Sequence, residues 1–137
     1  MQTIAQKDLT LAIKLVTEVS TEEKKDKREA YGRLCHSFPV MVRTCGLCQA
    51  VAFSAAKAAD GQGGALKYGH ETILAHGAAI LGTPGGGGGL AAHIASVPVE
   101  TYMDYTNRLL RSWIYFKRLA VSMLEVSDAS GETGGAA

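Results

Sequence analysis

Apolar residues recur along most of the chain at steps of three and four positions, the spacing that places side chains on one face of an α-helix. Over residues 3–19 the apolar face comprises Leu9, Ala12, Ile13, Val16 and Val19. The last helix is predicted to begin near residue 98 and to run to about residue 126, with the strongest pattern in the chain. Its apolar face comprises Tyr102, Tyr105, Leu109, Trp113, Phe116, Ala120, Met123 and Leu124.

Two further helices are predicted between residues 22 and 58. Ser20 followed by Glu23 has the spacing of a capping box, which predicts a helix over 22–36. Pro39 suits the first turn of a helix, because its missing N–H leaves no hydrogen bond unmade there, and it predicts a third helix over 39–58. Since this third helix is apolar around most of its circumference, we expect it to run through the middle of the domain.

Glycines divide the second half of the chain. A fourth helix is predicted over 64–81, followed by a flexible loop over 83–89 and one helical turn over 90–96. The small, polar segment 127–137 is expected to be a disordered tail. No hairpin turn flanked by alternating apolar residues is present in the sequence. The sequence therefore predicts an all-α fold, a single domain over 1–126 with a bundle of about five to six helices around a central apolar helix.

Length and charge restrict the possible functions. The chain has 137 residues, and one domain is expected because domains commonly span about 100–200 residues. The 14 basic and 13 acidic residues give a formal net charge of +1, so contact with nucleic acid would have to come from a local patch. No apolar run is long enough for a membrane span and no signal peptide pattern is present, so a cytoplasmic protein is expected.

Motifs for catalysis or cofactor binding are not found in the sequence. Cys45 and Cys48 form a C-x-x-C pair, but without a βαβ context or further ligands this spacing on a helix favours two reduced core cysteines. The glycine run lacks the Gly-Lys-Ser/Thr ending of a phosphate-binding loop. The four histidines include no metal-type pair four residues apart. We therefore expect no enzymatic activity, no cofactor, no metal site and no small-molecule substrate.

The last predicted helix has a basic outer face. Four side chains fall within an arc of about 80° when each residue turns about 100°. They are Arg108, Arg111, Tyr115 and Arg118, and Lys117 flanks them. Guanidinium groups with an interleaved tyrosine suit contact with phosphates and stacking on a base or sugar. Taken by itself, the pattern favours the other interpretation, an ordinary solvated basic face that is partly neutralised by Asp104 one turn upstream.

A second strip lies on the predicted helix 39–58. It consists of Arg43, Gly46, Ala50, Ser54 and Lys57, spaced by three and four residues. Small residues between two cations allow another backbone, of protein or nucleic acid, to approach closely. Packing against a neighbouring helix is the favoured interpretation of this strip.

Three stretches of the sequence together resemble a known family. They are residues 1–7 (MQTIAQK), residues 31–34 leading into 38–53 (FPVMVRTCGLCQAVAF), and residues 102–106 with 113–120 (WIYFKRLA). The chain resembles the small, all-helical subunit of type III-B CRISPR effector complexes (the Cmr complex). Where that family often has Asn-Gly-Leu-Gly-Gln, this chain has Cys-Gly-Leu-Cys-Gln at 45–49. Residues 61–96 match the family little.

The resemblance implies a non-catalytic role in antiviral defence. Members of the family stack in several copies along the hybrid of guide RNA and target RNA, beside larger backbone subunits that hold the guide and cut the target. The implied partners are other Cmr subunits, further copies of the chain, and guide and target RNA. The side chains expected to contact RNA or a neighbouring subunit are Lys14, Arg43, Lys57, Arg108, Arg111, Tyr115, Lys117 and Arg118.

Three other interpretations stay open. The chain is alternatively a purely structural interaction module whose basic face docks on an acidic neighbour, or the helical small subunit of another type III complex (the Csm class). The third and least favoured interpretation is an enzyme that uses Cys45 and Cys48 as reactive thiols or as zinc ligands.

Overall fold

A computed structural model describes residues 1–60 and 63–127, and this part of the chain is folded into six α-helices without a strand. The helices are α1 (Ile4–Ser20), α2 (Lys25–Cys45), α3 (Leu47–Ala58), α4 (Gly64–Leu81), α5 (Gly86–Ser96) and α6 (Val99–Leu124). The predicted all-α bundle is confirmed. Among the described residues, no helix combines the length and the apolar character needed to span a bilayer.

The centre of the bundle is occupied by α4, which contacts every other helix, whereas α1 packs mainly along α6. The predicted central helix over 39–58 is wrong, because those residues belong to the end of α2 and to α3. The largest fully buried side chains come from α6 and α2, namely Trp113, Tyr31 and Phe116. The core is therefore built where α2, α4 and α6 meet.

The predicted capping box at Ser20 and Glu23 is wrong. Because α1 extends through Ser20, that hydroxyl donates to the Thr17 carbonyl of its own helix, at 2.6 Å. Helix α2 begins at Lys25, and the side chain of its N-cap residue, Lys24, makes no capping hydrogen bond. A capping box does occur at the start of α1, where Thr3 and Gln6 each bond to the other's backbone N–H.

Pro39 lies inside α2 and does not begin a third helix. A proline in a helix interior removes one backbone hydrogen bond, which would leave the Cys35 carbonyl, four residues earlier, without its usual donor. The indole N–H of Trp113 in α6 donates to this carbonyl at 2.9 Å. The helix can therefore continue through Pro39, since a side chain from another helix replaces the missing backbone donor.

The break that the sequence placed before Pro39 falls instead at Gly46. Gly46 has φ of 92° and ψ of 160°, a backbone conformation that favours glycine, and it separates α2 from α3. Since glycine has no side chain to cap α3, the hydroxyl of Tyr102 in α6 accepts the Cys48 N–H at 3.0 Å. The junction of α2 and α3 is thus held by α6.

The glycine-rich segment predicted to be a loop forms the first turn of α5. Gly85 adopts a left-handed conformation with φ of 82° and is the N-cap, and the helix runs from Gly86 to Ser96. At Gly87 a Cβ would lie 2.7 Å from the backbone nitrogen of Ala75 in α4. Glycine is therefore needed here because the backbones of α4 and α5 approach closely, and this packing overrides its weak helix propensity.

The chain turns back against α2 after α6. Glu125 has a left-handed φ of 60°, and Val126 is buried against Gly32, where a Cβ would lie 2.6 Å from a Val126 methyl carbon. The Val126 carbonyl lies 2.8 Å from Nε2 of His36. Of the predicted disordered tail 127–137, only Ser127, exposed and non-helical, is described; residues 128–137 lie outside the described residues.

Candidate nucleic-acid interface

Two arginines of the predicted basic face are paired with carboxylates. Arg108 lies 3.6 Å from Asp104 and donates to the carbonyl of Ile80 at 3.2 Å. Nε of Arg111 donates to the Asp8 carboxylate of α1 at 3.3 Å, and the Asp8 side chain is only 17% exposed. Both guanidiniums therefore help to hold α6 against neighbouring helices. An RNA phosphate would have to compete with Asp104 and Asp8 for these guanidiniums.

The remaining cations of α6 lie beside a different helix. Lys117 and Arg118 line a groove between α6 and α2, together with Arg43 of α2. The groove encloses about 280 Å³. Its other lining residues are His36, Pro39, Leu110, Ile114 and Val121. We call this site, cations and apolar lining together, the basic groove.

No ion pair within residues 1–60 and 63–127 involves the three cations of the basic groove. Arg43 and Arg118 are exposed, and Lys117 is partly exposed. Between them Ile114 and Val121 are 44% and 46% exposed, a large fraction for apolar side chains. The groove therefore offers positive charge above apolar surface, without the carboxylates that accompany Arg108 and Arg111.

Regular helix spacing positions the lining of the groove. His36, Pro39 and Arg43 follow one another at steps of three and four along α2. The contact of Phe38 with Trp113, whose ring centroids are 5.3 Å apart, fixes α2 against α6. His36 is buried below the groove, and its hydrogen bond with the Val126 carbonyl holds the segment that follows α6 against α2. The groove is thus supported by well-packed helices.

The other candidate residues are distributed elsewhere. Lys14 is exposed on α1 and Lys57 is exposed on α3, where its ammonium lies 5.6 Å from the centre of the Phe53 ring. Tyr115 is partly buried and packs against the core. The structure therefore brings together three of the eight candidates, Arg43, Lys117 and Arg118, in one groove.

The strip of small residues on α3 serves helix packing, the interpretation that the sequence favoured. Ala50 and Ser54 are buried, and the Ser54 hydroxyl lies 3.2 Å from Nδ1 of His70 in α4. Burial lowers the pKa of His70, and Lys57 lowers it further. These two small residues of the strip are therefore buried in helix packing and closed to nucleic acid, whereas the cations at its two ends, Arg43 and Lys57, are exposed.

The expectation that Cys45 and Cys48 lie in the core is wrong. Both are exposed, because the break at Gly46 places them on separate helices, and only Cys35 is buried. Burial raises the pKa of Cys35 to about 12. Within the described part of the chain, no three His, Cys, Asp or Glu side chains are grouped so that they could hold a metal ion.

His76, one of three buried histidines among the described residues, is held neutral. Nδ1 of His76 lies 2.6 Å from the hydroxyl of Tyr31, and burial lowers the pKa of His76 to about 4. The ring is therefore neutral beside the Tyr31 hydroxyl, and burial also raises the pKa of Tyr31. This pair is a packing feature of the core, since both residues are enclosed.

Sequence reasoning missed the apolar part of the basic groove. Leu110, Ile114, Lys117 and Val121 follow one another at steps of four, three and four along α6. This spacing could have marked a mixed apolar and basic face, but only Lys117 of these four residues was considered, as a flank of the basic face. The pairing of Arg111 with Asp8 could not be predicted from the sequence, because 103 residues separate the two along the chain.

The fold and the site define a small, all-helical protein with a groove lined by three cations, none of which has an ion-pair partner among the described residues. The chain belongs to the family described as CRISPR-associated protein (Cas_Cmr5), whose model matches residues 4–123. The resemblance noted from the sequence is thereby confirmed. Membership is consistent with a role as a subunit of a Cmr complex.

A solved structure supports the same assignment. The chain is similar to a CRISPR-associated Cmr5 family protein from Thermus thermophilus, with a TM-score of 0.73 and 28% sequence identity. The match covers 90% of this chain and 98% of that chain. No curated protein sequence matches the chain significantly.

Proposed function

We propose that this chain is a non-catalytic small subunit of a type III-B CRISPR effector complex and that its basic groove supports the target RNA. It acts in the cytoplasm beside larger Cmr subunits and further copies of itself. The observation that carries the proposal is the contrast among the cations of α6. Arg108 and Arg111 are paired with carboxylates, whereas Lys117 and Arg118 face Arg43 across the groove without an acidic partner among the described residues.

The groove suits an RNA backbone because its contacts require no particular base. Phosphate contacts position a nucleic acid without reading its sequence, and a subunit that supports many different targets must bind in this way. The exposed side chains of Ile114 and Val121 offer apolar surface to the ribose or to the face of an unstacked base. Three cations give weak binding in one copy, and several aligned copies bind more tightly.

The test is RNA binding by the assembled complex carrying R43A/K117A/R118A in this subunit. For single-stranded RNA, log K falls with log salt at about 0.7 per phosphate contact, so the loss of three contacts lowers the slope by about 2 per copy. We expect weaker target binding, a shallower salt dependence and unchanged assembly. K24A/K25A/K67A removes the same charge away from the groove and is the matched control.

An unchanged salt slope in R43A/K117A/R118A, with the complex intact, would contradict the proposal. Loss of assembly in that variant would favour the alternative function, a structural module whose groove docks on an acidic neighbouring subunit. R111A serves as a further comparison. Because Arg111 binds Asp8, we expect this substitution to weaken the contact of α1 with α6 and to change the salt slope less than substitution in the groove.

A further inference from the structure

One side of α6 carries a line of residues at the spacing of a coiled coil. Its members follow one another at alternating steps of four and three, the repeat that keeps side chains in line along a helix that packs against a partner helix. They are Met103, Asn107, Leu110, Ile114, Lys117 and Val121. We call this line the α6 seam.

The apolar members of the α6 seam are unusually accessible. Met103 is 60% exposed, and Ile114 and Val121 are 44% and 46% exposed. The core of the protein uses another side of α6, from which Trp113 and Phe116 are buried. Helix α6 therefore has a second apolar face besides the one that the fold requires, and exposed apolar surface of this kind marks an interaction site.

The lysine in the α6 seam determines which way a second copy of the helix can run. In a parallel pair related by a twofold axis, each seam residue meets the same residue of the other copy. The two Lys117 ammonium groups would then face each other between apolar side chains, and such a contact between like charges is unfavourable. The parallel arrangement is therefore disfavoured.

An antiparallel pair brings residues of the same character together. Positions at equal distances from the middle of the α6 seam meet, so apolar residues meet apolar residues and polar residues meet polar ones. The pairs, each formed across the two copies, are Val121 with Met103, Ile114 with Leu110, and Lys117 with Asn107. The side-chain oxygen of Asn107 can accept a hydrogen bond from the Lys117 ammonium.

Charges beside the α6 seam favour the same direction. Asp104 and Arg118 flank the seam near its opposite ends, so an antiparallel pair places Asp104 of each copy beside Arg118 of the other. The Asp104 side chain is 61% exposed, and its ion pair with Arg108 involves only Oδ2, which leaves Oδ1 to accept from a second cation. Arg111 meets its own copy near the middle, where the Asp8 carboxylate already balances its charge.

We propose that two copies of this chain associate through the α6 seam as a symmetric, antiparallel dimer. Because two of the six seam positions are polar, the dimer forms at high protein concentration and dissociates on dilution. The seam shares Leu110, Ile114, Lys117 and Val121 with the basic groove, so the dimer covers the groove. The inference concerns the free chain and holds whether or not the groove binds RNA.

The first test is sedimentation equilibrium of the full-length protein without RNA, over about a hundredfold range of concentration. We expect a reversible equilibrium between monomer and dimer. I114D places two carboxylates in the apolar contact of each dimer and should raise the dissociation constant at least about tenfold. L66D is the matched control, since Leu66 is 59% exposed on α4, away from the seam, and its substitution should leave the dissociation constant unchanged.

A charge exchange tests the antiparallel direction. D104R and R118D each replace two favourable contacts per dimer with repulsive ones and should raise the dissociation constant about two- to tenfold. The double variant D104R/R118D restores opposite charges at both contacts, and its dissociation constant should return to that of the natural chain. Far-ultraviolet circular dichroism checks that each variant keeps its helices.

Three results would overturn the dimer. They are a monomer at every concentration, a dimer that I114D leaves unchanged, and a double variant that dimerises no better than its single parents. Because no RNA is present, any of these results leaves the proposal for the basic groove standing. Conversely, a failure of the groove substitutions to alter RNA binding leaves the dimer standing.

Discussion

Replacing Trp113 with phenylalanine removes the indole N–H that the Cys35 carbonyl accepts in place of the amide hydrogen missing at Pro39. Cys35 and Trp113 are both buried, so the carbonyl would be left without a donor inside the protein. A buried unsatisfied acceptor costs about 1–3 kcal/mol. The smaller ring adds a separate loss from the cavity it leaves, so W113F alone does not isolate the hydrogen bond.

A double-mutant cycle with P39A separates the two effects. Alanine at position 39 supplies a backbone N–H, so the Cys35 carbonyl keeps a donor within α2 even when Trp113 is absent. The cavity left by Trp113 is common to both backgrounds and cancels in the cycle. W113F should therefore lower the free energy of unfolding in both backgrounds, and the decrease should be about 1–2 kcal/mol smaller in the P39A background than in the natural chain.

Urea unfolding of the four proteins, followed by far-ultraviolet circular dichroism, measures this coupling energy. Tryptophan fluorescence is unsuitable because Trp113 is the only tryptophan in the chain. W113F/P39A must retain the helical spectrum of the natural chain for the comparison to hold. Independent substitutions add to within about 0.3–0.5 kcal/mol, so a coupling energy no larger than this would refute the claim that Trp113 replaces the donor missing at Pro39.

Three further substitutions test other parts of the fold. G32A places a Cβ against Val126 and should lower the free energy of unfolding by about 1–3 kcal/mol; an unchanged urea midpoint would contradict the close contact. Y102F removes the acceptor of the Cys48 N–H and should cost about 1 kcal/mol, with faster exchange of that amide by NMR. Since the pKa of His76 falls from 6.5 to about 4 on folding, protons bind the unfolded chain more readily. Stability should therefore fall by about 3 kcal/mol between pH 6.5 and 4, and H76N should flatten that dependence in urea titrations.

Elements with a clear amphipathic pattern could be predicted from the sequence. The apolar positions of α1 and α6 recur at helical spacing, and the structure gives α1 as Ile4–Ser20 and α6 as Val99–Leu124, close to the predicted 3–19 and 98–126. Helix α4 was predicted at its observed bounds for the same reason. In these helices the local pattern and the tertiary packing agree.

The errors occur where a distant residue decides the local structure. Proline normally ends or begins a helix, and α2 continues through Pro39 because of Trp113, which bonds to a carbonyl 78 residues away along the chain. Glycines normally interrupt a helix, and those of α5 are helical because they pack closely on α4. In the site, the charges of α6 could be found from the sequence. The partner of Arg108, Asp104, lies one turn upstream and is visible in the sequence, whereas the partner of Arg111 is Asp8 in α1, which no local pattern indicates.

The glycine turn that starts α5 has a consequence for the motions of the folded protein. Each of the four glycines Gly86–Gly89 disfavours the helix by about 1 kcal/mol relative to alanine, about 4 kcal/mol together. Only Leu90 and Ile94 of this helix are buried, so few apolar contacts oppose that tendency. Local unfolding needs less free energy where such contacts are few, so we expect α5 to open while the other helices stay folded. Its backbone amides should exchange with solvent well before those of α4, and each opening would uncover the side of α4 at Ala75 that Gly87 covers.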